Sequence, residues 1–373
     1  MQESIKRFVE DNAALLHRTL RELCAIPAPS HQEAARAQYC LNWLVREGAA
    51  GAYIDAADNV ICPLGCEGSR DITVFAAHTD TVFPDTEPMP YHDDGQRVHC
   101  PGAADDTAGV AVLLVMAKFF LQTGKVPAGG LMLVCNSGEE GLGDLKGCKR
   151  LFADFAGRIG RFITFDCQPD VVCDRCVGSH RYRVQVQTEG GHSFGDFGKD
   201  NAIALLAQLV SDIYQTEVPQ KAGTHTTYNV GLIEGGTSVN TIAQSATMLC
   251  EYRSDDVQCL RQMQARFEGI FEAARKRGVQ LQVDKVGDRP CADIGAQQQR
   301  FADAVVPVIE RCIGQAVTRS SASTDCNVPL SLGIPALCIG IARYAGMHTR
   351  QEWVDKASMR TGLHTAIAVA LAL

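Results

Sequence analysis

Residues 72–80 read ITVFAAHTD. Apart from Thr73, nothing polar interrupts the run before His78. A stretch so continuously apolar suits a strand buried on both faces of a parallel sheet. Three more runs share this character: LMLVC at 131–135, FITF at 162–165 and PALCIGI at 335–341. Helical patterns lie between them, including Gly109 to Leu121. Upstream, Ile5, Phe8, Val9, Leu15, Leu16, Leu20 and Leu23 recur at helical spacing, and a second helical pattern covers Gln32 to Glu47. Strands alternating with helices predict an α/β domain with a mostly parallel sheet.

The middle of the chain has another rhythm. Tyr182, Val184 and Val186 alternate with polar residues, as in a strand with one wet face. A helix is expected at Asn201 to Tyr214, strands near Thr226 to Ile233 and Ala246 to Tyr252, a helix near Asp256 to Arg277 and a strand near Val279 to Val286. The order β-α-β-β-α-β is the ferredoxin-like arrangement. PALCIGI returns to the first pattern afterwards. The expected division is therefore a catalytic domain in two parts, 1–178 and 292–373, with a ferredoxin-like domain inserted at 179–291.

Each apolar run leads into a side chain that can bind metal. ITVFAA leads to His78-Thr79-Asp80, LMLVC to Asn136-Ser137-Gly138-Glu139-Glu140, FITF to Asp166, and PALCIGI through a Gly-containing loop to His348. Ligands of open α/β sheets bind beyond the carboxyl ends of the strands. A fifth segment, Gly102 to Gly109, places Asp105 and Asp106 before a helix, where an N-cap with a charged first turn is the plain alternative. Imidazole with carboxylate suits Zn²⁺, and Mn²⁺ or Co²⁺ less selectively. These groups are too many for one four-coordinate ion with an open position, and suit two ions sharing a bridging carboxylate. Alternation puts Asp80 on the same side as His78, where it can orient the imidazole. Glu139 and Glu140 point differently, so one can bind metal while the other serves as a general base.

The chain has 373 residues, 35 basic and 43 acidic, for a formal charge of −8. That balance argues against a nucleic-acid partner. No apolar run approaches the ~18–20 residues of a membrane helix. The N-terminus is charged throughout and lacks the apolar segment of a signal peptide. The 16 cysteines are thus expected as reduced thiols in a cytoplasmic protein. Cys173-x-x-Cys176, with Cys167 nearby, could form an extra metal or redox pair, although a single such pair is a weak signal.

With these residues in this order, the chain resembles the co-catalytic di-zinc exopeptidase family of peptidase T, carboxypeptidase G, acetylornithine deacetylase and succinyl-diaminopimelate desuccinylase. The resemblance covers nearly the whole chain, ends in HTRQEWV at 348–354, and is strongest to the peptidase T-like branch. It implies two Zn²⁺ per subunit, with Co²⁺ or Mn²⁺ possible. His78 and Asp166 would hold one ion, Glu140 and His348 the other, and Asp105 would bridge them, with a cis peptide to Asp106. Asp80 would orient His78 and Glu139 would be the general base. The inserted domain would be a lid that forms a homodimer. His192, in Gly191-His192-Ser193, would stabilise the oxyanion in the partner subunit's active site. Asn240, in the Gly235-to-Asn240 turn, and Arg253 would bind substrate. The implied activity is hydrolysis of an amide bond in small peptides. A deacylase of N-acyl amino acids or a carboxypeptidase is the alternative within the family. A non-catalytic dimeric metal-binding protein is the alternative outside catalysis.

Overall fold

The apolar runs become the middle of an eight-stranded sheet. Its order is Tyr53–Ile54, Val60–Leu64, Leu131–Asn136, Ile72–His78, Ile159–Phe165, Ala336–Ile339, Val171–Cys176 and Thr318–Ala322. The four central strands, Leu131–Asn136 through Ala336–Ile339, run parallel. Val60–Leu64 and Val171–Cys176 flank them antiparallel, so the sheet is mixed and parallel-rich. Ile72–His78 and Leu131–Asn136 are buried along their whole lengths. Their register pairs His78 with Asn136, which sets the carboxyl ends of these strands level.

The computed structural model describes residues 2–373 and resolves into two compact units. The first comprises the chain up to Cys176 and again Asp293–Leu373; the second is Val177–Ala292. In the first unit, helix Ala108–Thr123 is buried nearly throughout, as its all-round apolar sequence requires. Lys118, the one charge in it, reaches Glu47 at 2.7 Å. Phe8 of helix Gln2–Cys24 meets Phe119 edge-on with ring centroids 5.1 Å apart. A small second sheet joins Tyr344–Ala345, Trp353–Asp355, Arg97–His99 and His92–Asp93. It ties the last part of the chain to the segment just before Gly102.

The second unit runs Gly178–Gln187, Ala202–Tyr214, Thr226–Gly235, Ser245–Ser254, Val257–Lys276 and Gln280–Arg289. This is the β-α-β-β-α-β order expected from the pattern. Its antiparallel sheet is ordered Thr226–Gly235, Ser245–Ser254, Gly178–Gln187 and Gln280–Arg289. Alternate residues Tyr182, Val184, Val186, Met248 and Tyr252 are buried with Met263 and Phe267 of one helix and Leu206 and Leu209 of the other. Asn201 and Asp256 begin the two helices by accepting backbone N–H bonds in their first turns. Among the described residues, no helix is long and apolar enough to cross a membrane.

Candidate metal centre

The level ends of the central strands bring the first group of ligands together. His78 closes its strand, Asp166 follows Phe165 directly, and Asp105 comes from the turn before helix Ala108–Thr123. One ligand atom from each of these three residues lies within 4.8 Å of the others. A second group with the same spacing joins Asp105, Glu140 and His348. Asp105 is common to both. Its Oδ1 lies 2.9 Å from His78 Nε2, and its Oδ2 lies 2.9 Å from His348 Nε2.

The turn that carries Asp105 departs from helical geometry. Asp105 and Asp106 have non-helical φ/ψ, and the peptide between them is cis. Neither aspartate caps the helix, so the N-cap alternative is not what the fold uses. Asp106 instead accepts the backbone N–H of His78 at 3.2 Å. A Cβ at Gly109 would overlap the Asp106 carboxylate, so only glycine leaves that space. Beyond the Asp106 side, Gly346 (φ 73°) and His348 (φ 61°) both take the left-handed conformation. Such a backbone is uncommon outside glycine, and it places the imidazole of His348 on Asp105.

Asp80 holds more than expected. The imidazole Nδ1 of His78 donates to the Asp80 backbone carbonyl at 3.1 Å, while the nearest Asp80 carboxylate oxygen is 3.5 Å away. The carboxylate accepts the backbone N–H groups of Glu139 at 2.9 Å and Glu140 at 3.0 Å, and the Ser30 hydroxyl at 2.7 Å. One residue thereby fixes both the His78 ring and the Glu139-Glu140 loop. With Nδ1–H on a carbonyl, Nε2 is the ring nitrogen facing the carboxylates. Glu139 is buried but belongs to neither ligand group.

The electrostatics show a deficit of positive charge. Burial, then the charge of Asp105, pushes Glu140 up to about 7. Burial, then Asp105 and Glu139, raises Asp166 well above the usual carboxylate range. Burial alone would also raise Asp105, but hydrogen bonds from His348 and His78 hold it low. Those bonds to Asp105, then Glu140, lift His348 to about 10. Like charges this close repel by roughly 3–4 kcal/mol at an effective dielectric constant near 20. Glu140 Oε1 is buried, with His348 Nε2 3.5 Å away and no closer donor. A buried acceptor so weakly satisfied among crowded carboxylates is a place for a cation. Imidazole nitrogen with carboxylate oxygen fits Zn²⁺, Mn²⁺ or Co²⁺.

Three buried charged residues complete the surroundings, and none was singled out from the sequence. Glu352 accepts the backbone N–H groups of Gly102, Ala104 and Asp105 at 3.0, 2.7 and 3.1 Å. Burial pushes it up to about 7 despite these bonds. Arg36 donates to the Thr79 carbonyl at 2.8 Å and the Thr107 hydroxyl at 3.2 Å, which joins the His78 and Asp105 segments from behind. Asp325 accepts from Asn136 Nδ2 at 2.7 Å and is raised to about 7 by burial, then by the charge of Glu139. The presence of Glu352 in HTRQEWV was the one signal available; Arg36 and Asp325 carry none.

The other candidates belong to the second unit. Gly191 and His192 pair with Ile242 and Thr241, and Ser193 N–H donates to the Asn240 carbonyl at 3.0 Å. His192 and Asn240 therefore share one exposed corner. The His192 ring accepts the N–H groups of Phe194 and Gly195 at Nδ1, both at 3.3 Å. The remaining nitrogen, Nε2, carries the proton in the neutral ring and is the outward donor. Asn240 accepts the Ser238 hydroxyl at 2.8 Å. Arg253 is half-buried, with its guanidinium on Glu251 at 2.7 and 3.1 Å.

A model of peptidase family M20/M25/M40 matches residues 74–372. The uncharacterised protein YqjE of Bacillus subtilis is 27% identical over 318 residues, 79% of each chain. Carboxypeptidase G2 of a Pseudomonas species is 22% identical, covering 87% of this chain and 78% of its own. Among solved structures, a tripeptidase from Staphylococcus aureus superposes with a TM-score of 0.75 at 20% identity, covering 97% and 99% of the two chains. The chain belongs to peptidase family M20/M25/M40, and is a hydrolase of that family.

Proposed function

We propose that this protein is a two-metal exopeptidase that hydrolyses an amide bond in small peptides, in the manner of the peptidase T-like branch. The observation that carries the reading is the pair of ligand groups sharing Asp105. His78 and Asp166 would hold one Zn²⁺, Glu140 and His348 the other, with Asp105 between them. Bound ions supply Lewis acidity that polarises a carbonyl and makes water a better nucleophile. Glu139, buried beside these ligands and outside both groups, takes the proton of the attacking water and returns it to the leaving nitrogen. Asp80 holds the Glu139 backbone for that transfer. His192 offers its Nε2–H to the developing oxyanion from the second subunit of a homodimer. Asn240, on the same corner, and Arg253 bind substrate, Arg253 by exchanging Glu251 for a substrate carboxylate. The protein works in the cytoplasm.

A second reading, an N-acyl-amino-acid deacylase or carboxypeptidase, is favoured by the similarity to carboxypeptidase G2. A panel of dipeptides, tripeptides and N-acyl amino acids, assayed with Zn²⁺, Co²⁺ and Mn²⁺, separates the two. Cleavage of a tripeptide but not its acetylated form supports the exopeptidase requiring a free amino terminus. The reverse preference supports the second reading. No cleavage of any substrate with any metal overturns both.

A further inference from the structure

Three cysteines converge next to the metal centre without taking part in it. The sulfurs of Cys167, Cys173 and Cys338 all lie within 4.8 Å of one another. Cys173 and Cys338 are register partners on neighbouring antiparallel strands. Cys167 arrives from the loop after Phe165, with its Sγ 3.2 Å from the Val171 carbonyl and 3.6 Å from the Cys338 carbonyl. A Cβ at Gly340 would overlap the backbone of Cys167 and Gln168, so glycine permits the close approach of this loop. The pairing therefore differs from the one its spacing suggested: Cys173 gathers with Cys167 and Cys338, and Cys176 is outside the group.

We propose that Cys167, Cys173 and Cys338 form a soft-metal site for one Cu(I) ion, separate from the His–carboxylate centre. Three sulfurs around one ion, at metal–sulfur distances of about 2.3 Å, stand roughly 4 Å apart in a plane. In the observed cluster no two of these sulfurs are more than 4.8 Å apart. Its donor set is all thiol, which selects soft cations, whereas the neighbouring centre offers only nitrogen and oxygen. Structural Zn²⁺ takes four ligands, and among the described residues no fourth ligand joins this group. A three-sulfur set matches Cu(I) instead. Cys173 and Cys338 are buried, and residue Cys167 is partly exposed. Hydrogen bonds from Cys167, then Cys338, lower the Cys173 thiol. Thiol protons leave to solvent as the ion binds, with no change in oxidation state.

The test uses the reduced protein, with its His–carboxylate centre first saturated with Mn²⁺, under anaerobic conditions. Cu(I) is titrated against a chromophoric Cu(I) chelator, and X-ray absorption counts the sulfurs around bound copper. One tightly held Cu(I) with three sulfur neighbours is expected, with Mn²⁺ content unchanged. Cys173→Ser and Cys338→Ala should each lose that ion, and Cys312→Ala, a thiol elsewhere in the same unit, should keep it. Copper surrendered wholly to the chelator, or a sulfur count other than three in the wild type, overturns the site. So does equal retention by Cys173→Ser and Cys312→Ala. Preferential retention of Zn²⁺ over Cu(I) at these cysteines overturns the choice of ion. Because the wild-type spectrum is itself decisive, a variant that fails to fold does not shelter the proposal.

Discussion

The buried metal centre of the first unit and the exposed corner around His192 in the second solve opposite problems. Around Asp105, carboxylates are crowded, desolvated and short of positive charge, and three of the five candidate ligands are held by another element: His78 by Asp80, Asp105 by Glu352, Glu140 by Asp80. At the corner, His192 and Asn240 are exposed, and Arg253, at the far end of strand Ser245–Ser254, is half-buried; each already bonds within its own unit. The first region, as a candidate metal site, has carboxylates that a cation would offset. The second is hydrogen-bonded within its own unit, so the role proposed for it rests on what it would meet. Loss of a group should therefore be felt as chemistry and stability in the first region, and as recognition in the second.

The sharpest way to break this contrast is Glu139→Gln. It should retain both metals by elemental analysis and lose turnover by about 10²–10⁴-fold, the range of a general base. Near-normal kcat would remove Glu139 from the mechanism. His192→Ala should cost about 10²–10³-fold in kcat, as for loss of an oxyanion donor, with metal content and Tm unchanged. If His192 acts across subunits, mixing Glu139→Gln with His192→Ala chains should restore part of the activity. No recovery, with subunit exchange verified, would confine His192 to its own subunit. Third, chelation with verified metal loss should lower the Tm by several degrees, because crowded carboxylates then repel without compensation. An unchanged Tm would contradict the charge deficit inferred around Asp105.

The smallest effect belongs to the second unit. Asp256→Ala, which deletes the cap on Gln258 and Cys259 N–H, should cost about 1 kcal/mol in denaturant unfolding. Asp256 is also lowered to about 2, mainly by Lys221. A depressed carboxylate stabilises the fold above its unfolded value near 3.8, and the contribution fades as pH falls through about 2. The wild type and the variant should therefore converge in stability in strong acid. A constant gap across that range would show that the charge of Asp256 contributes nothing.

The parts legible in the sequence were those with periodicity. The continuous runs of Ile72–His78 and Leu131–Asn136 signal burial on both faces, and the alternation at Tyr182, Val184 and Val186 signals a single wet face. The edge strand Thr318–Ala322, sequence TRSSA, is polar and partly exposed, so nothing in its composition marks it as a strand. Two-residue strands such as Tyr344–Ala345 exist only through their partners. Metal-capable residues stood out because they follow apolar runs. Arg36 and Asp325 did not, since a single charged residue ordinarily lies on the surface, and only the fold shows that these two are buried with partners.

The grip of Glu352 on the Gly102–Asp105 backbone has a consequence in time. Asp105 and His348 are 243 positions apart, and Glu352 lies 247 from the Asp105 amide it holds. During synthesis His78, Asp105, Glu140 and Asp166 emerge early, and the whole second unit can fold before His348 and Glu352 leave the ribosome. The nascent chain thus carries a half-built centre, rich in carboxylates and lacking one histidine and the clamp on its shared aspartate. Assembly of the complete candidate centre therefore needs the part of the first unit that follows the insertion.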